Sequence, residues 1–306
     1  MSLKSGLELL KPARLGKYGV GAFNTTNMEI TQAIIEAAEE SKSPVILSLS
    51  EGALKYGDKQ LVDIVKTMGE DASVPVAIHL DHGSSYESCI KALRYGFTSV
   101  MIDKSHEDEE VNIAETKIVV TAAHAVGVTV EAEIGRLGGV EEHIVVSQED
   151  ALLTKPDEAE RFISRSGADY LAIAIGTSHG ANKGIGRPFI DHDRIKEIAL
   201  RLPNPLVMHG ASGVPKEIVS RLNNAGGSLK NASGIFEEDV RKAITHGIAK
   251  INTDTDLRLA FTARLREVLA DKADEYDPRN LIGPAREEVK SMVKSRLKLF
   301  GSTGKA

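Results

Sequence analysis

Three of the nine histidines share one sequence context, because each follows a short apolar run and precedes a glycine. They are His82, His179 and His209, in "HLDHG", "IGTSHG" and "VMHGAS". Imidazole nitrogens are good ligands for Zn²⁺, and three protein ligands with an open fourth position are typical of a catalytic zinc site. The glycine after each histidine permits a sharp turn and close approach of the backbone. If the fold brings the three run ends together, the pattern predicts a catalytic zinc site.

Carboxylates accompany these histidines at the ends of apolar runs. Asp81 directly precedes His82, which makes it a candidate for proton transfer beside the metal. Asp103 and Glu133 end the next two runs and could hold a second cation. The alternative for this pair is ordinary ion pairing with Lys104 or Arg136.

Turns rich in glycine and hydroxyl groups follow the last three runs. They are "GTSHGANKG", which contains Lys183, then "HGAS", which contains Ala211, and "NTDTD". Backbone N–H groups, hydroxyls and a lysine suit an anion, and phosphate sites of barrel enzymes typically lie near strands seven and eight. Together the turns predict a phosphate site.

The other histidines and the single cysteine favour structural roles. His246 closes a helical pattern before Gly247, His124 lies within a helical pattern, and His79 lies inside an apolar run. Cys89 sits in a helical pattern, where core packing is expected. One cysteine cannot form an internal disulfide, which is typical of a reducing compartment.

Eight apolar runs, each followed by a helical pattern, must position these residues. Many are rich in Val and Ile and several are nearly continuous in apolar residues, as expected of parallel strands buried on both faces. The runs lie at residues 18–24, 43–50, 74–81, 97–103, 127–135, 169–176, 204–212 and 247–254. The alternation predicts an α/β fold, a (β/α)8 TIM barrel with extra C-terminal helices, as a single domain over 1–306. In such a barrel the C-terminal strand ends form the active site.

Local signals support this interpretation. Asn27 is a candidate helix N-cap, and Gly96, Gly127 and Gly247 fall where helix C-caps are expected. The longest insertion, 135–156, follows the fifth run, and a loop of this length is usually functional.

Composition narrows the class of protein. The chain has 306 residues, 42% of them hydrophobic, and a formal net charge of −6. A nucleic-acid-binding face needs an excess of basic residues, so no nucleic-acid partner is expected. No apolar run approaches the length of a signal peptide or a membrane span, so we expect a cytoplasmic protein with no membrane contact.

The motifs "HLDHGSSYE", "EAEIG", "IGTSHG", "HGASG" and "NTDTDLR" resemble the class II, metal-dependent fructose-1,6-bisphosphate aldolases, from "GVGAFN" to "EYDPR". The resemblance implies a lyase of glycolysis and gluconeogenesis that cleaves fructose 1,6-bisphosphate into dihydroxyacetone phosphate and glyceraldehyde 3-phosphate. It implies a catalytic Zn²⁺ on the three histidines, a second divalent metal position at Asp103 and Glu133, and a monovalent cation, Na⁺ or K⁺. It also implies a homodimer or homotetramer.

The same resemblance implies individual roles. Asp81 would be the acid/base at the C4 oxygen, and Glu141, with Glu142 as the adjacent alternative, would be the base on the long loop. Ser50 and Asp254 would face the aldehyde half, and Arg279 would reach the other phosphate, across a subunit boundary. The dihydroxyacetone-phosphate half would be bound by Gly180, Gly210, Ser212, Asn252, Thr253, Asp254 and Thr255.

Three alternatives stay open at this point. Tagatose 1,6-bisphosphate differs from the fructose compound only in configuration at C4. A Schiff-base aldolase on the same fold would need a lysine in the barrel mouth, and Lys250 is the only lysine inside a predicted strand. A non-catalytic barrel that binds metal and phosphate would bind zinc without turnover.

Overall fold

The computed structural model describes residues 2–136, 138–141, 144–146, 152–181, 189–230 and 232–306, and at 138–141, 144–146 and 179 only the backbone is described. The strands are β1 Val20–Asn24, β2 Val45–Ser50, β3 Val76–Gly83, β4 Ser99–Ile102, β5 Thr129–Ile134, β6 Gly138–Glu141, β7 Ile144–Val146, β8 Tyr170–Ile173, β9 Ser178–His179, β10 Leu206–Met208 and β11 Ile248–Thr253. The helices are α1 Gly6–Gly16, α2 Met28–Ser41, α3 Glu51–Asp71, α4 Tyr86–Tyr95, α5 Glu109–His124, α6 Pro156–Ser166, α7 His192–Arg201, α8 Lys216–Asn224, α9 Glu237–His246, α10 Thr255–Asp271 and α11 Pro278–Phe300.

Eight parallel strands close into a barrel in the order β1-β11-β10-β8-β5-β4-β3-β2. These are the eight apolar runs of the sequence, so the predicted (β/α)8 barrel is confirmed. Each barrel strand is fully buried along its length, because helices cover the outside and side chains fill the inside. The first and last strands meet in register, with Val20 opposite Lys250 and Ala22 opposite Asn252.

Helix α1 packs against residues that line the interior of the barrel. Its buried Leu9, Leu10 and Ala13 belong to one apolar cluster with Ala77 and Val207 of the barrel strands. Ser5 begins the helix with a capping box, accepting from the Glu8 N–H while the Glu8 carboxylate accepts from the Ser5 N–H. Because α1 covers this end of the barrel interior, a functional site is expected at the opposite end, which is formed by the C-terminal ends of the strands.

The long insertion after β5 forms a small second sheet. Strands β6 and β7 pair antiparallel, and β6 also pairs in parallel with β9, placing Gly138 opposite Ser178 and Gly139 opposite His179. The insertion is thereby attached to the chain segment that carries one of the three predicted zinc ligands.

Helices α10 and α11 are the predicted extra C-terminal helices. Lys290 of α11 forms ion pairs with Glu36 and Glu40 of α2, and Lys294 adds a second bond to Glu40. These contacts attach the end of the chain to the helix that follows β1.

Most local signals are correct. Asn27 caps α2, and Gly96 and Gly247 are the C-caps of α4 and α9. The prediction for Gly127 is wrong, because Ala125 is the C-cap of α5 and Gly127 adopts its positive φ of 75° in the turn beyond it. Among the helices described here, none is both long and apolar enough to cross a membrane.

Candidate active site

The end of β3 presents Asp81 and His82 at the mouth of the barrel. The sharp turn falls on His82 itself, whose φ of 50° lies in the left-handed region, and not on the glycine that follows. Gly83 is needed for close approach, because a Cβ there would lie 2.4 Å from the carbonyl oxygen of Met101 in β4. The strained histidine and the small residue together fix where the β3 end lies against β4.

Asp81 is buried and held by two amide side chains. Nδ2 of Asn24, at the end of β1, donates to Asp81 Oδ2 at 2.8 Å, and Nδ2 of Asn252, in β11, donates to Oδ1 at 2.9 Å. Both oxygens are therefore fixed in orientation, which suits a group that must transfer a proton at a defined atom. Asn252 was predicted to bind substrate, and in the structure its amide nitrogen orients Asp81.

His82 and His209 face each other across the site. His82 Nε2 and His209 Nδ1 are 2.8 Å apart. Behind them, His82 Nδ1 lies 2.8 Å from Asp103 Oδ2, and His209 Nε2 lies 2.8 Å from Glu131 Oε1. An ionised carboxylate can only accept a hydrogen bond, so each imidazole donates its proton backwards. The two facing nitrogens then both present lone pairs, an arrangement that requires a cation or a proton between them.

Glu131 and Lys250 form an ion pair inside the barrel, with both side chains fully buried and Oε2 2.7 Å from Nζ. Burial alone would raise the pKa of Glu131, but the Lys250 ammonium and the His209 hydrogen bond outweigh it and hold that pKa below its ordinary value. Burial first, and Lys250 second, lower the pKa of His79 to about 3, so this imidazole is neutral. Lys250 Nζ lies 3.3 Å from His79 Nε2, which leaves His79 Nδ1 to donate to Ser99 Oγ at 2.6 Å.

These contacts bear on the expected structural role of His79 and on the Schiff-base alternative at Lys250. His79 does have a supporting role inside the barrel and is wholly buried. Lys250 is also wholly buried and paired with a carboxylate, which does not suit a Schiff-base lysine, because such a lysine must reach the substrate as a free amine.

Asp103 and Glu133 lie close to His82, and one ligand atom from each of the three residues falls within 4.8 Å of the others. A second group, Asp81 with His82 and His209, meets the same limit. Asp103 neither pairs with Lys104 nor stands alone, because it accepts from His82 and from the N–H of Ser105. The two groups share His82, so the donor atoms fit one cation between the histidines and an alternative position beside the carboxylates.

The third predicted ligand, His179, has only its backbone in the described part of the chain. Its neighbour Ser178 lies against Gly210, where a Cβ would come within 2.5 Å of the Ser178 carbonyl oxygen. Gly210 directly follows His209 and has a φ of 63°. The backbone at His179 is therefore brought to the segment that carries His209.

Three predicted site residues, Glu141, Glu142 and Lys183, lie at or beyond the limits of the described residues. Glu141 ends β6, two residues beyond the pairing of Gly139 with His179, and its side chain lies outside the description. Glu142 and Lys183 lie outside the described residues altogether.

The described residues among those predicted to bind the dihydroxyacetone-phosphate half lie at or directly after the ends of β9, β10 and β11. Gly180 and Gly210 have positive φ, and Ala211, Ser212 and Thr253 are buried. Asp254 precedes α10 and accepts from Arg258 Nε at 2.8 Å, and Thr255 is the first residue of that helix.

Ser50 is buried, whereas Arg279 is exposed to solvent. Ser50 is buried at the end of β2, and its hydroxyl accepts from the Ala53 N–H at the start of α3. Arg279 has a side chain that is 89% exposed, near the start of α11, and pairs with Asp277 at 2.7 Å. Within this chain Arg279 therefore points to solvent, which leaves it accessible to a second molecule.

The sequence patterns gave no role to Glu131 or to Asn24, which is the last residue of the first apolar run. A signal for Glu131 was present, because residues two apart on a strand share a face and Glu131 precedes Glu133 by two. A charged side chain in an otherwise apolar strand is rarely buried unless it is paired.

Comparisons with known proteins find relatives that match nearly the whole chain. A family model described as "Fructose-bisphosphate aldolase class-II" matches residues 4–305. The fructose-bisphosphate aldolase of Thermus caldophilus is 67% identical over 304 residues, covering 99% of this chain and 100% of that protein. The enzyme of the same name from Helicobacter pylori strain J99 is 49% identical over 306 residues, covering 99% of each chain. The crystal structure of the YdjI aldolase from Escherichia coli K12 superposes with a TM-score of 0.81 at 33% identity, covering 99% of both chains.

Proposed function

The chain belongs to the class-II fructose-bisphosphate aldolase family, and from this membership we propose that it reversibly cleaves fructose 1,6-bisphosphate into dihydroxyacetone phosphate and glyceraldehyde 3-phosphate. The observation that carries the proposal is the pair of facing imidazoles, His82 Nε2 and His209 Nδ1, 2.8 Å apart beside the oriented Asp81 carboxylate. Relatives that are 67% and 49% identical carry the fructose-bisphosphate name, which favours this sugar over its tagatose epimer.

The donor set suits Zn²⁺, held by His82 and His209 with His179 as the third ligand. Three imidazole ligands are typical of a catalytic zinc site, in which the ion would stay open to the substrate. When bound, the ion supplies a Lewis acid that draws electrons from the ketose carbonyl next to the bond that breaks. Asp103 and Glu133 would hold a second or alternative divalent position, and a monovalent cation, Na⁺ or K⁺, belongs to the same proposal.

The chain's own residues handle the protons. Asp81 takes the proton of the C4 hydroxyl as the C3–C4 bond breaks, and C4 becomes the carbonyl carbon of glyceraldehyde 3-phosphate. The electron pair of the broken bond stays with C3 of the other fragment. Glu141, or its neighbour Glu142, delivers a proton to that carbon, which completes dihydroxyacetone phosphate.

Substrate binding follows the strand ends. We assign the phosphate of the dihydroxyacetone-phosphate half to Lys183 and to the segments that follow β9, β10 and β11. Ser50 and Asp254 face the aldehyde half, and Arg279 reaches the other phosphate from a second subunit of a homodimer or homotetramer. The exposure of Arg279 supports this assignment. The single-domain organisation over 1–306 and the cytoplasmic location belong to the same proposal.

The test is a coupled cleavage assay with both bisphosphates, with and without EDTA. We expect cleavage of fructose 1,6-bisphosphate that EDTA abolishes and Zn²⁺ restores. Asp81→Asn should lose about 100-fold or more in kcat, in line with the contribution of a positioned proton-transfer group, while still binding Zn²⁺. Cleavage that survives EDTA, together with borohydride trapping of substrate on Lys250, would overturn the metal mechanism.

A further inference from the structure

Asp256 is a fully buried carboxylate in the first turn of α10. Its two oxygens accept from consecutive backbone N–H groups in the segment after β10. Gly213 N–H donates to Oδ2 at 3.0 Å, and Val214 N–H donates to Oδ1 at 2.7 Å. One side chain that follows β11 therefore fixes the conformation of the segment that follows β10.

The segment needs this support because its backbone is strained. Val214 has a φ of 44°, in the left-handed region that a β-branched residue rarely adopts. Such a conformation persists only where the surroundings hold it in place. A second restraint acts just upstream, where Ile235 N–H donates to the Ser212 carbonyl at 3.0 Å.

Arg296 of α11 completes the arrangement. Its Nε lies 2.9 Å from Asp256 Oδ2, and its side chain is only 7% exposed. The guanidinium also lies against Gly213, where a Cβ would come within 2.9 Å of Nη2. The buried carboxylate is thus neutralised by a buried cation, and Gly213 is small enough to let that cation approach.

The segments joined by Asp256 are the ones assigned above to a single phosphate group. Strand β10 ends at Met208 and β11 ends at Thr253, so barrel hydrogen bonds do not fix the residues beyond them. We propose that Asp256 and Arg296 are positioning residues that hold the Gly210–Ser212 segment after β10 and the Asp254–Thr255 segment after β11 in the arrangement that binds the phosphate of dihydroxyacetone phosphate. This inference rests on the proposed function.

Two physical consequences follow. The N–H groups of Gly213 and Val214 are already bonded to Asp256, so the phosphate must be bound by the residues before them. Arg296 is also the buried partner of the Asp256 carboxylate, so loss of its charge leaves that carboxylate unpaired and disturbs the segment that it holds. Removing the arginine charge should therefore weaken phosphate binding even where the fold survives.

The experiment measures the condensation reaction, in which the two substrates are separate. For Asp256→Asn and Arg296→Gln we expect KM for dihydroxyacetone phosphate to rise about tenfold, which corresponds to about 1.4 kcal/mol. KM for glyceraldehyde 3-phosphate should change less than about twofold. Arg296→Lys keeps the charge and should recover most of the loss. Arg221→Gln, which breaks an ion-pair network among α8, α10 and α11 away from the segment, serves as the matched control and should leave both KM values unchanged.

A purely structural role would lower the Tm of Asp256→Asn and leave KM for dihydroxyacetone phosphate as in the wild type, and this result would overturn the proposal. Failure of the wild type to cleave fructose 1,6-bisphosphate would overturn the proposed function instead. The positioning role is then tested without turnover, by calorimetric titration with inorganic phosphate. Weaker phosphate binding by Asp256→Asn and Arg296→Gln than by Arg221→Gln supports the positioning role. Equal binding by the three variants, or no binding by the wild type, overturns it.

Discussion

Replacing Glu131 with glutamine would change two contacts inside the barrel at once. Glu131 Oε1 accepts from His209 Nε2 at 2.8 Å, and Oε2 pairs with Lys250 Nζ at 2.7 Å. Glutamine has nearly the same shape but no charge, and its amide nitrogen can only donate. The variant would therefore leave a buried ammonium without its counterion and would no longer hold the proton of His209 on Nε2.

The size of the effect follows from the complete burial of both partners. Removing one partner from a buried ion pair costs about 3–5 kcal/mol, a large share of the roughly 5–15 kcal/mol that stabilises a typical domain. Because the pKa of folded Glu131 lies below its ordinary value of 4.5, this stabilisation is present above about pH 4.5 and is lost as the pH falls further. The difference between wild type and variant should shrink over the same acidic range.

Two measurements separate the contacts. Urea unfolding of the apo protein reports the ion pair, and we expect the free energy of unfolding to fall by about 3–5 kcal/mol. Competition with a chelator for Zn²⁺ reports the orientation of His209, and affinity should fall about 10–100-fold, as for other groups that orient a metal ligand. The double variant Glu131→Gln/Lys250→Met restores neutrality, so it should recover stability without recovering affinity.

Glu267→Gln is the matched control, because Glu267 pairs with Arg221 at 2.6 Å and Arg264 at 3.1 Å on the outer helices. It should cost about 0–1 kcal/mol, as for a surface pair, and should leave Zn²⁺ affinity unchanged. Wild-type Zn²⁺ affinity in Glu131→Gln would refute the argument that this carboxylate sets the tautomer of His209. Unchanged stability would refute the argument that it neutralises Lys250.

Two further predictions concern residues outside the barrel centre. Burial raises the pKa of the Cys89 thiol to about 12, so the thiolate is scarce at pH 8 and iodoacetamide should label the protein only after denaturation; rapid native labelling would show that the thiol is accessible. Arg279→Ala removes a side chain that is 89% exposed, so it should leave Tm unchanged. Because Arg279 is proposed to reach a phosphate of the substrate, the variant should raise KM for the bisphosphate, and an unchanged KM would remove Arg279 from the substrate site.

The fold could be predicted because parallel strands buried on both faces are continuous in apolar residues. All eight runs correspond to barrel strands, and eight strands that alternate with helices are typical of a closed ring of parallel strands. The ends of helices are harder to predict from sequence, as Gly127 illustrates. A glycine with positive φ can either cap a helix or sit in the turn beyond it, and sequence spacing does not separate the two.

The candidate site was predictable where side chains lie at strand ends and less so where they lie inside the barrel. Asp81, His82 and His209 stand out because a polar residue follows an apolar run. Glu131 lies within such a run, and its importance depends on reaching His209, 78 residues away. Pairings over that distance follow from the register of the barrel, which no local pattern specifies.

The two amides that hold Asp81, the proposed proton-transfer group, connect this site to the closing of the barrel. Asn24 lies 57 residues before Asp81, and Asn252 lies 171 residues after it. They come from the first and last barrel strands, which pair with each other. The carboxylate therefore acquires both of its donors only when the ring closes, the step with the largest loop to bring together during folding. Recovery of activity during refolding should consequently report ring closure and lag behind the recovery of helix content.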